Sequence, residues 1–261
     1  MQKFANINNI MNNVALATPL HDPKGLILPI LKQNGQKLKE IYAANIAVNV
    51  TPQTNKETIN LLKEFGFNVQ VSKEGSIGED YRNAIQLALS LNTSFIHLLD
   101  FDRALHWADR FSDELKNVEQ QIAHYVGYVS FVRSKKAFET HPITQRSTET
   151  AVNAIASEVA GVGVDIMSGS LGMDRSLAEL VVAESKRDDF GFYAEPLMIA
   201  KKHNFPINTL EVEGLEWETP DQYKAQIEEY GYSAWLAKFQ SLNEWEKRVK
   251  LLDQTTQVLA G

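Results

Sequence analysis

The densest candidate chemistry in this chain is the triplet Asp100-Phe101-Asp102, which follows directly on the apolar run Phe95 to Leu99. Two carboxylates one residue apart, at the end of a buried strand, can both reach a divalent cation. Oxygen ligands of this kind suit Mg²⁺ or Mn²⁺, and such a cation would neutralise a diphosphate. The plainer alternative is that one Asp caps a helix starting near Ala104 while the other is solvated. A second signal is Gly75-Ser-Ile-Gly78-Glu-Asp-Tyr-Arg82. A glycine-rich turn into a helix can present backbone N–H groups to a phosphate, with Arg82 in the first turn. An ordinary turn with a surface Arg fits that spacing equally well. Arg103, His106 and Trp107 come straight after the acid pair. Arg103 or His106 could meet a phosphate, His106 is otherwise a surface residue, and Trp107 is better read as core.

The elements that must position these groups alternate along the first hundred residues. Val14 to Thr18 reads as a buried strand ending at Pro19. Lys24 to Gln36 follows as a helix, with Pro29 as an irregularity. Ile46 to Val50 is a second strand. Asn55 to Phe65 is a helix stopped by Gly66. Val69 to Val71, the helix Asp80 to Leu91 and the strand Phe95 to Leu99 complete the series. Strand–helix alternation predicts an α/β sheet covered on both faces. Ligands of such sheets bind beyond the carboxyl ends of the strands. Thr18, His21 and Asp22, then Thr51 and Asn55, then Asp100 and Asp102 should therefore converge on one crevice.

The second half is less regular. Strands are expected at Tyr125 to Val132, Val164 to Met167 and Ile207 to Val212. Helices are expected at Thr148 to Val159, Asp174 to Glu184 and Glu195 to His203. From Pro220 onward the pattern is helical, with Tyr223, Ile227, Trp235, Phe239 and Trp245 among its apolar residues. That face packs on the body of the protein or on a second subunit, so a homodimer is among the expected assemblies.

Composition sets outer bounds. The chain has 261 residues, 44% hydrophobic and 23% charged, enough apolar material for a core. Its formal net charge of −7 argues against gripping nucleic acid by bulk charge. There is no Cys, which removes disulfides and thiolate chemistry. The Asn-rich start shows no secretory pattern, and the apolar runs fall short of the ~20 residues of a transmembrane segment. A soluble, cytoplasmic protein is expected.

Taken together, the order of Thr18-Pro-Leu-His-Asp22, the Gly75–Arg82 segment and Asp100-Phe-Asp102 resembles the GT-A glycosyltransferases, which use nucleotide-diphosphate sugars. Ser168-Gly-Ser-Leu-Gly-Met-Asp-Arg175, then Gly191-Phe-Tyr-Ala-Glu-Pro-Leu197, is similar to part of the retaining glucosyl-3-phosphoglycerate synthases. The resemblance spans Val14 to Glu213. It implies a GT-A-like (Rossmann-related) mixed, mainly parallel sheet with helices on both faces. Residues 1–219 would be the catalytic domain, with a nucleotide-sugar half near 14–107 and an acceptor half near 120–219. Residues 220–261 would be a helical C-terminal extension.

By the same resemblance, Asp102 and Asp100 would bind the metal and the sugar nucleotide. Thr18, Asp22, Arg82 and Arg103 would lie by the nucleotide or its phosphates. Ser168, Gly169 and Arg175 would face the acceptor, and Glu195 would line the sugar or acceptor side. An inverting enzyme needs a carboxylate base, for which Glu195 and Asp165 are the candidates. A retaining enzyme needs none if the leaving phosphate takes the proton. Asp165 could instead cap a turn, and Arg133 and Arg146 are either acceptor anchors or surface ion pairs. The chain departs from the synthases at Ser170, which replaces a Glu, and at Ile77, where a Lys is common. It carries Glu213-Gly-Leu-Glu-Trp-Glu218 in place of a His-containing metal segment.

The expected activity is thus metal-dependent sugar transfer from a nucleotide-diphosphate donor to a small-molecule or glycan acceptor. One alternative is a sugar-phosphate nucleotidyltransferase. It is disfavoured because the loop after the first strand lacks Gly until Gly25. Another is a non-catalytic sugar-nucleotide-binding member of the fold. A glycoside hydrolase using paired carboxylates is a weaker fourth.

Overall fold

The computed structural model describes residues 13–73 and 75–261, so the Asn-rich start lies outside it except for Asn13. Its strands are β1 (Val14–Leu20), β2 (Ile46–Val50), β3 (Asn68–Val71), β4 (Phe95–Leu99), β5 (Tyr128–Arg133), β6 (Ser170–Asp174) and β7 (Ile207–Val212). The helices of the first half are α1 (Leu28–Ile41), α2 (Lys56–Glu64), α3 (Ile77–Leu89), α4 (Phe101–Arg110) and α5 (Ser112–Ile122). Those of the second half are α6 (Lys135–Glu139), α7 (Ile143–Ala160), α8 (Arg175–Glu184) and α9 (Glu195–Lys202). The chain ends in α10 (Thr219–Gln222), α11 (Lys224–Tyr230), α12 (Tyr232–Lys238) and α13 (Leu242–Leu259). The strands form one seven-stranded sheet in the order β3-β2-β1-β4-β6-β5-β7. β6 runs antiparallel to both neighbours, and the other pairings are parallel.

Two cores cover the sheet, and β1 shows how the residues sort between them. Val14, Leu16 and Leu20 face a core shared with Leu31 and Leu38 of α1, Leu105 and Trp107 of α4, and Leu115 of α5. Ala15 and Ala17 point the other way, with Ala47 of β2, and meet Ala84 and Ala88 of α3. Side chains alternate across a strand, so a strand buried on both faces reads as a continuous apolar run. The alanines let α3 lie close to the sheet. Pro19 continues β1 without harm, because β4 pairs with β1 only over Val14–Ala17.

Several expected elements shift. The first helix starts at Leu28, and Pro29 lies in its first turn, where a missing N–H costs nothing. Val164 to Met167 is not a strand but a loop whose apolar side chains enter the α3-side core. The strand lies just beyond it, at Ser170–Asp174. α7 begins at Ile143, which puts Thr148 and Glu149 mid-helix rather than at its opening. Helix α5 had no counterpart in the sequence reading.

This topology sets what meets what. β1, β2 and β4 end on one edge of the sheet, at Leu20, Val50 and Leu99. Antiparallel β6 begins on that edge, with Ser170 opposite Leu99, and finishes on the far edge, with Asp174 opposite Phe95. The loop before β6 therefore arrives beside Asp100. The terminal helix also belongs to the body of the molecule. Leu251 and Leu259 of α13 are buried in the α3-side core, and Thr255 Oγ1 donates to the Phe190 carbonyl at 3.2 Å.

Candidate functional site

A cavity of about 280 Å³ opens at the carboxyl edge of β1, β2 and β4. His21, Asp22, Thr51, Asp80, Tyr81, Asp100, Asp102 and Gln222 contribute to its wall. Asp100 is the first residue after β4 and the N-cap of α4, and Asp102 lies in the first turn of that helix. Negative charge is favoured at a helix N-terminus, so the strand-to-helix junction itself tolerates the pair. Each acid is held. Asp100 accepts a hydrogen bond from Tyr81 Oη and has Arg103 Nε at 3.4 Å. Asp102 accepts from the Arg103 backbone N–H and from Gln222 Nε2, both at 2.9 Å.

Glu218 is a third carboxylate of this cluster, 3.7 Å from Arg103 Nε. The electrostatics follow from burial and crowding. Burial pushes Asp100 up against the pull of Arg103 and Tyr81, and Glu218 adds to the rise. Asp102 is pushed up to about 7 by burial first, then by Glu218 and Asp100. Burial alone would raise Glu218, but Arg103, with His141, a backbone hydrogen bond and His106, together hold this carboxyl below its usual range. Three acids thus share one guanidinium.

The cluster fits a divalent cation. The donor set is all oxygen, a doubly charged ion would balance its excess negative charge, and Glu218 Oε2 is buried without a hydrogen-bond donor. Among the described residues no group of three or more His, Asp or Glu side chains forms a ready-made metal cage. A pair of carboxylates completed by substrate phosphates and water is the usual arrangement for Mg²⁺.

Arg103 connects this cavity to a second one of about 360 Å³. Arg103, Gln145, Glu218, Lys247 and Arg248 line that second space, and Phe190 and Tyr193 border both. The guanidinium is fixed from behind, because Arg103 Nη1 donates to the Ser168 carbonyl at 2.6 Å. Gly169 has φ +67°, and a Cβ there would stand 2.5 Å from Asp100 Oδ2 and 2.9 Å from Arg103 Nε. Its carbonyl accepts from the Asp100 N–H at 3.1 Å. Only glycine allows this loop to lie against the acid pair.

The structure brings together Asp100, Asp102, Arg103, Ser168 and Gly169, with Asp22 on the wall of the same cavity, and keeps Thr18, Arg82, Asp165, Arg175 and Glu195 off both cavity linings. Asp22 borders the first cavity with both oxygens engaged, by the Leu26 N–H at 2.7 Å and Thr58 Oγ1 at 2.8 Å. It fixes the turn after β1 rather than presenting a free carboxylate. Thr18 is fully buried within β1. Arg82 binds the Arg187 carbonyl at 2.6 Å and the Asp188 carboxylate, so it pins a loop instead of a phosphate. Gly78 makes room for that same loop, since a Cβ there would be 1.9 Å from the Arg187 carbonyl oxygen.

Three catalytic candidates are displaced in the same way. Glu195 accepts the backbone N–H groups of Lys186, at 2.7 Å, and Arg187, at 3.1 Å. Asp165 is locked in a buried ion pair with Arg133, at 2.7 Å, and accepts from Asn153. Burial alone would raise its carboxyl, but the charge and hydrogen bonds of Arg133, with the Asn153 hydrogen bond, together hold it low. Arg175 follows β6 onto the far edge of the sheet, where it donates to the carbonyls of Leu89 and Thr93. Neither is Arg133 a surface residue, for Glu149 lies 2.8 Å away on its other side. His106 is buried as well, 2.6 Å from Asp221, and Trp107 is core. Sequence reasoning missed Tyr81, Glu218 and Gln222. Tyr81 and Glu218 were visible only as parts of longer motifs, and Gln222 had no local signal at all.

No protein-family model matches the sequence, and no curated protein matches it. Solved structures do resemble the fold. Mannosyl-3-phosphoglycerate synthase from Rubrobacter xylanophilus aligns with a TM-score of 0.53 at 11% identity, over 86% of this chain and 76% of its own. Glucosyl-3-phosphoglycerate synthase from Mycobacterium tuberculosis, in complex with Mn²⁺, UDP-glucose and phosphoglyceric acid, aligns at 0.51 and 10% identity, over 81% and 75%. A cytidylyltransferase from Leptospira borgpetersenii aligns at 0.50 and 13% identity, over 95% and 96%. At these identities the likeness is one of fold, and the mixed, mostly parallel sheet is the GT-A-like one that the sequence motifs imply.

Proposed function

We propose that this protein is a metal-dependent glycosyltransferase that moves a sugar from a nucleotide-diphosphate donor to a small acceptor. The observation that carries this reading is the acid pair at the end of β4, facing one cavity while Arg103 faces the next. Asp100 and Asp102 would hold Mg²⁺ or Mn²⁺, with Glu218 close by. The ion supplies Lewis-acid neutralisation of the departing diphosphate. The remaining work falls to the chain itself. Tyr81 and Gly169 fix the Asp100 carboxylate, and Gln222 and the Arg103 N–H fix Asp102. The Arg103 guanidinium, held by the Ser168 carbonyl, presents a preorganised positive charge where negative charge develops. The donor half spans residues 14–107 and the acceptor half 120–219. α13, from the terminal extension, closes the acceptor cavity with Lys247 and Arg248. The synthase that binds UDP-glucose and phosphoglyceric acid on this fold supports the donor and the size of the acceptor.

The cytidylyltransferase likeness supports a nucleotidyl-transfer reading less well. That chemistry needs free backbone N–H groups after β1 to cradle a triphosphate. Here Leu26 N–H is bound by the Asp22 side chain and Gly25 N–H faces the Asp22 carbonyl at 3.4 Å.

The test is nucleoside-diphosphate release from a panel of nucleotide sugars with and without Mn²⁺, alongside calorimetric titration of the same donors. Asp102→Asn should abolish Mn²⁺-dependent donor binding and lower turnover by about 100-fold or more. Unchanged binding in that variant would remove the metal from the reading. Release of pyrophosphate from a nucleoside triphosphate and a sugar phosphate would replace it with nucleotidyl transfer.

A further inference from the structure

We infer that Asp80 reads the donor base and selects one that presents an imino N–H (uracil, thymine or guanine) over cytosine or adenine. This rests on the nucleotide-sugar reading above and adds a substrate class to it. The fold leaves the base open, since its neighbours include both a UDP-glucose enzyme and a cytidylyltransferase.

Asp80 lies in the first turn of α3 and borders the same cavity as the acid pair. It is 7% exposed, and its two oxygens have different surroundings. Oδ1 accepts from Asn49 Nδ2 at 2.9 Å and from Ser72 Oγ at 2.5 Å. Asn49 Nδ2 also donates to Ser72 Oγ at 2.8 Å, so both hydrogens of that amide are spent and the serine proton goes to Asp80. Oδ2 receives no hydrogen bond from any described residue. Gly75 lies beside it and carries no side chain to cover it. Asp80 as a whole is buried on the wall of the cavity, and its unpaired oxygen is free to take a donor from a ligand.

An ionised carboxylate accepts and cannot donate. Uracil and thymine offer N3–H and guanine offers N1–H on the edge that would meet it. Cytosine N3 and adenine N1 are lone pairs there and would face the carboxylate in repulsion. Their exocyclic amino groups can still donate, so the discrimination is finite. A charge-assisted hydrogen bond gained against a repulsive contact corresponds to roughly 10- to 100-fold in affinity.

The fixed donors at Oδ1 make a clean switch possible. In Asp80→Asn the amide carbonyl must turn toward Asn49 and Ser72, which sends the NH₂ into the cavity. An acceptor becomes a donor at one point in space. The test is calorimetric titration, with Mn²⁺ present, of UDP, dTDP, GDP, CDP, ADP and N3-methyl-UDP.

The native protein should bind at least one imino-bearing nucleotide about 10-fold or more tighter than CDP and ADP. Whether that is a pyrimidine or GDP separates the two ring sizes. If it is UDP, N3-methylation should remove the advantage. Asp80→Asn should shrink or reverse the gap between UDP and CDP. The inference is overturned if native protein binds CDP or ADP as tightly as the imino-bearing set, or, where UDP is the tightest ligand, if methylating N3 changes nothing. If Asp80→Asn proves unfolded, the methylated ligand decides on native protein alone. Failure of every nucleotide to bind would instead overturn the glycosyltransferase reading on which this one rests.

Discussion

A single glycine and a single histidine mark the two kinds of demand that this fold makes on individual residues. Gly169 is needed for its conformation and for its lack of a side chain, and the two needs can be separated. Gly161 also has positive φ, +74°, but a Cβ there would meet nothing within 4 Å. Ala at either position incurs the left-handed penalty of roughly 1–2 kcal/mol. Gly161→Ala should therefore lower the melting temperature by a few degrees and leave turnover unchanged. Gly169→Ala should lower it similarly, but should also cut nucleoside-diphosphate release by about 10-fold or more, because Asp100 and Arg103 must move. Equal activity in the two variants would remove Gly169 from the site. His97 makes a different demand. It is fully buried between Tyr42 Oη, at 2.7 Å, and Ser170 Oγ, at 2.8 Å, and burial lowers its pKa to about 3. The unfolded chain then binds a proton near pH 6.5 that the folded one refuses. Stability is full above that pH and is lost as pH falls toward 3, by about 2 kcal/mol between pH 7 and 5. His97→Gln keeps a hydrogen-bonding side chain without a titrating group, so urea midpoints of the variant should vary less with pH across that interval than those of the native protein.

At the scale of elements, legibility followed hydrophobic pattern. β2 and β4 fall where their apolar runs predict them, because both faces of these strands are covered, and the half-buried edge strand β7 also lies at its expected place. β6 did not declare itself. Ser170-Leu-Gly-Met-Asp174 has no apolar run, and Gly172 packs closely on Val129, 3.1 Å from where its Cβ would stand. The neighbouring Val164 to Met167 has strand composition but serves as a buried loop. Composition reports burial there, and burial alone does not distinguish a ladder from a loop. The terminal helices were legible as helices whose apolar face packs on the body of the protein or on a second subunit, and α13 takes the first course. α13 provides the test. Leu251 is 3% exposed and belongs to the α3-side core, whereas Leu242 of the same helix is 85% exposed. Leu251→Ala should cost about 2–4 kcal/mol of unfolding free energy in urea, and Leu242→Ala close to nothing. Equal, small effects would make the extension an appendage rather than a structural member.

For the molecule as a whole, the sheet edge where ligands would gather could be inferred from strand–helix alternation, and Asp100 and Asp102 do converge there with residues that follow β1 and β2. The charged groups expected in that site from elsewhere in the chain find other partners for one reason. Arg82, Asp165, Arg175 and Glu195 are all spent on tying loops and strands together, and sequence does not show which partner a charge will find. One such tie is buried. Arg133, at the end of β5, joins Asp165 from the loop before β6 to Glu149 from α7, and Phe138 lies against its guanidinium at 4.8 Å. Removing the shared cation leaves Asp165 without a counter-charge and Glu149 with only Arg248, 3.8 Å away, so Arg133→Ala should cost about 3–5 kcal/mol in urea denaturation. Replacing all three charges together, with Arg133→Met, Glu149→Leu and Asp165→Leu, should recover much of that loss, because desolvating an ion cluster gives little net stability. The same triple variant also bears on mechanism. If Asp165 only holds the loop, nucleoside-diphosphate release should return with the fold. A stable, fully inactive triple variant would restore Asp165 as a candidate base.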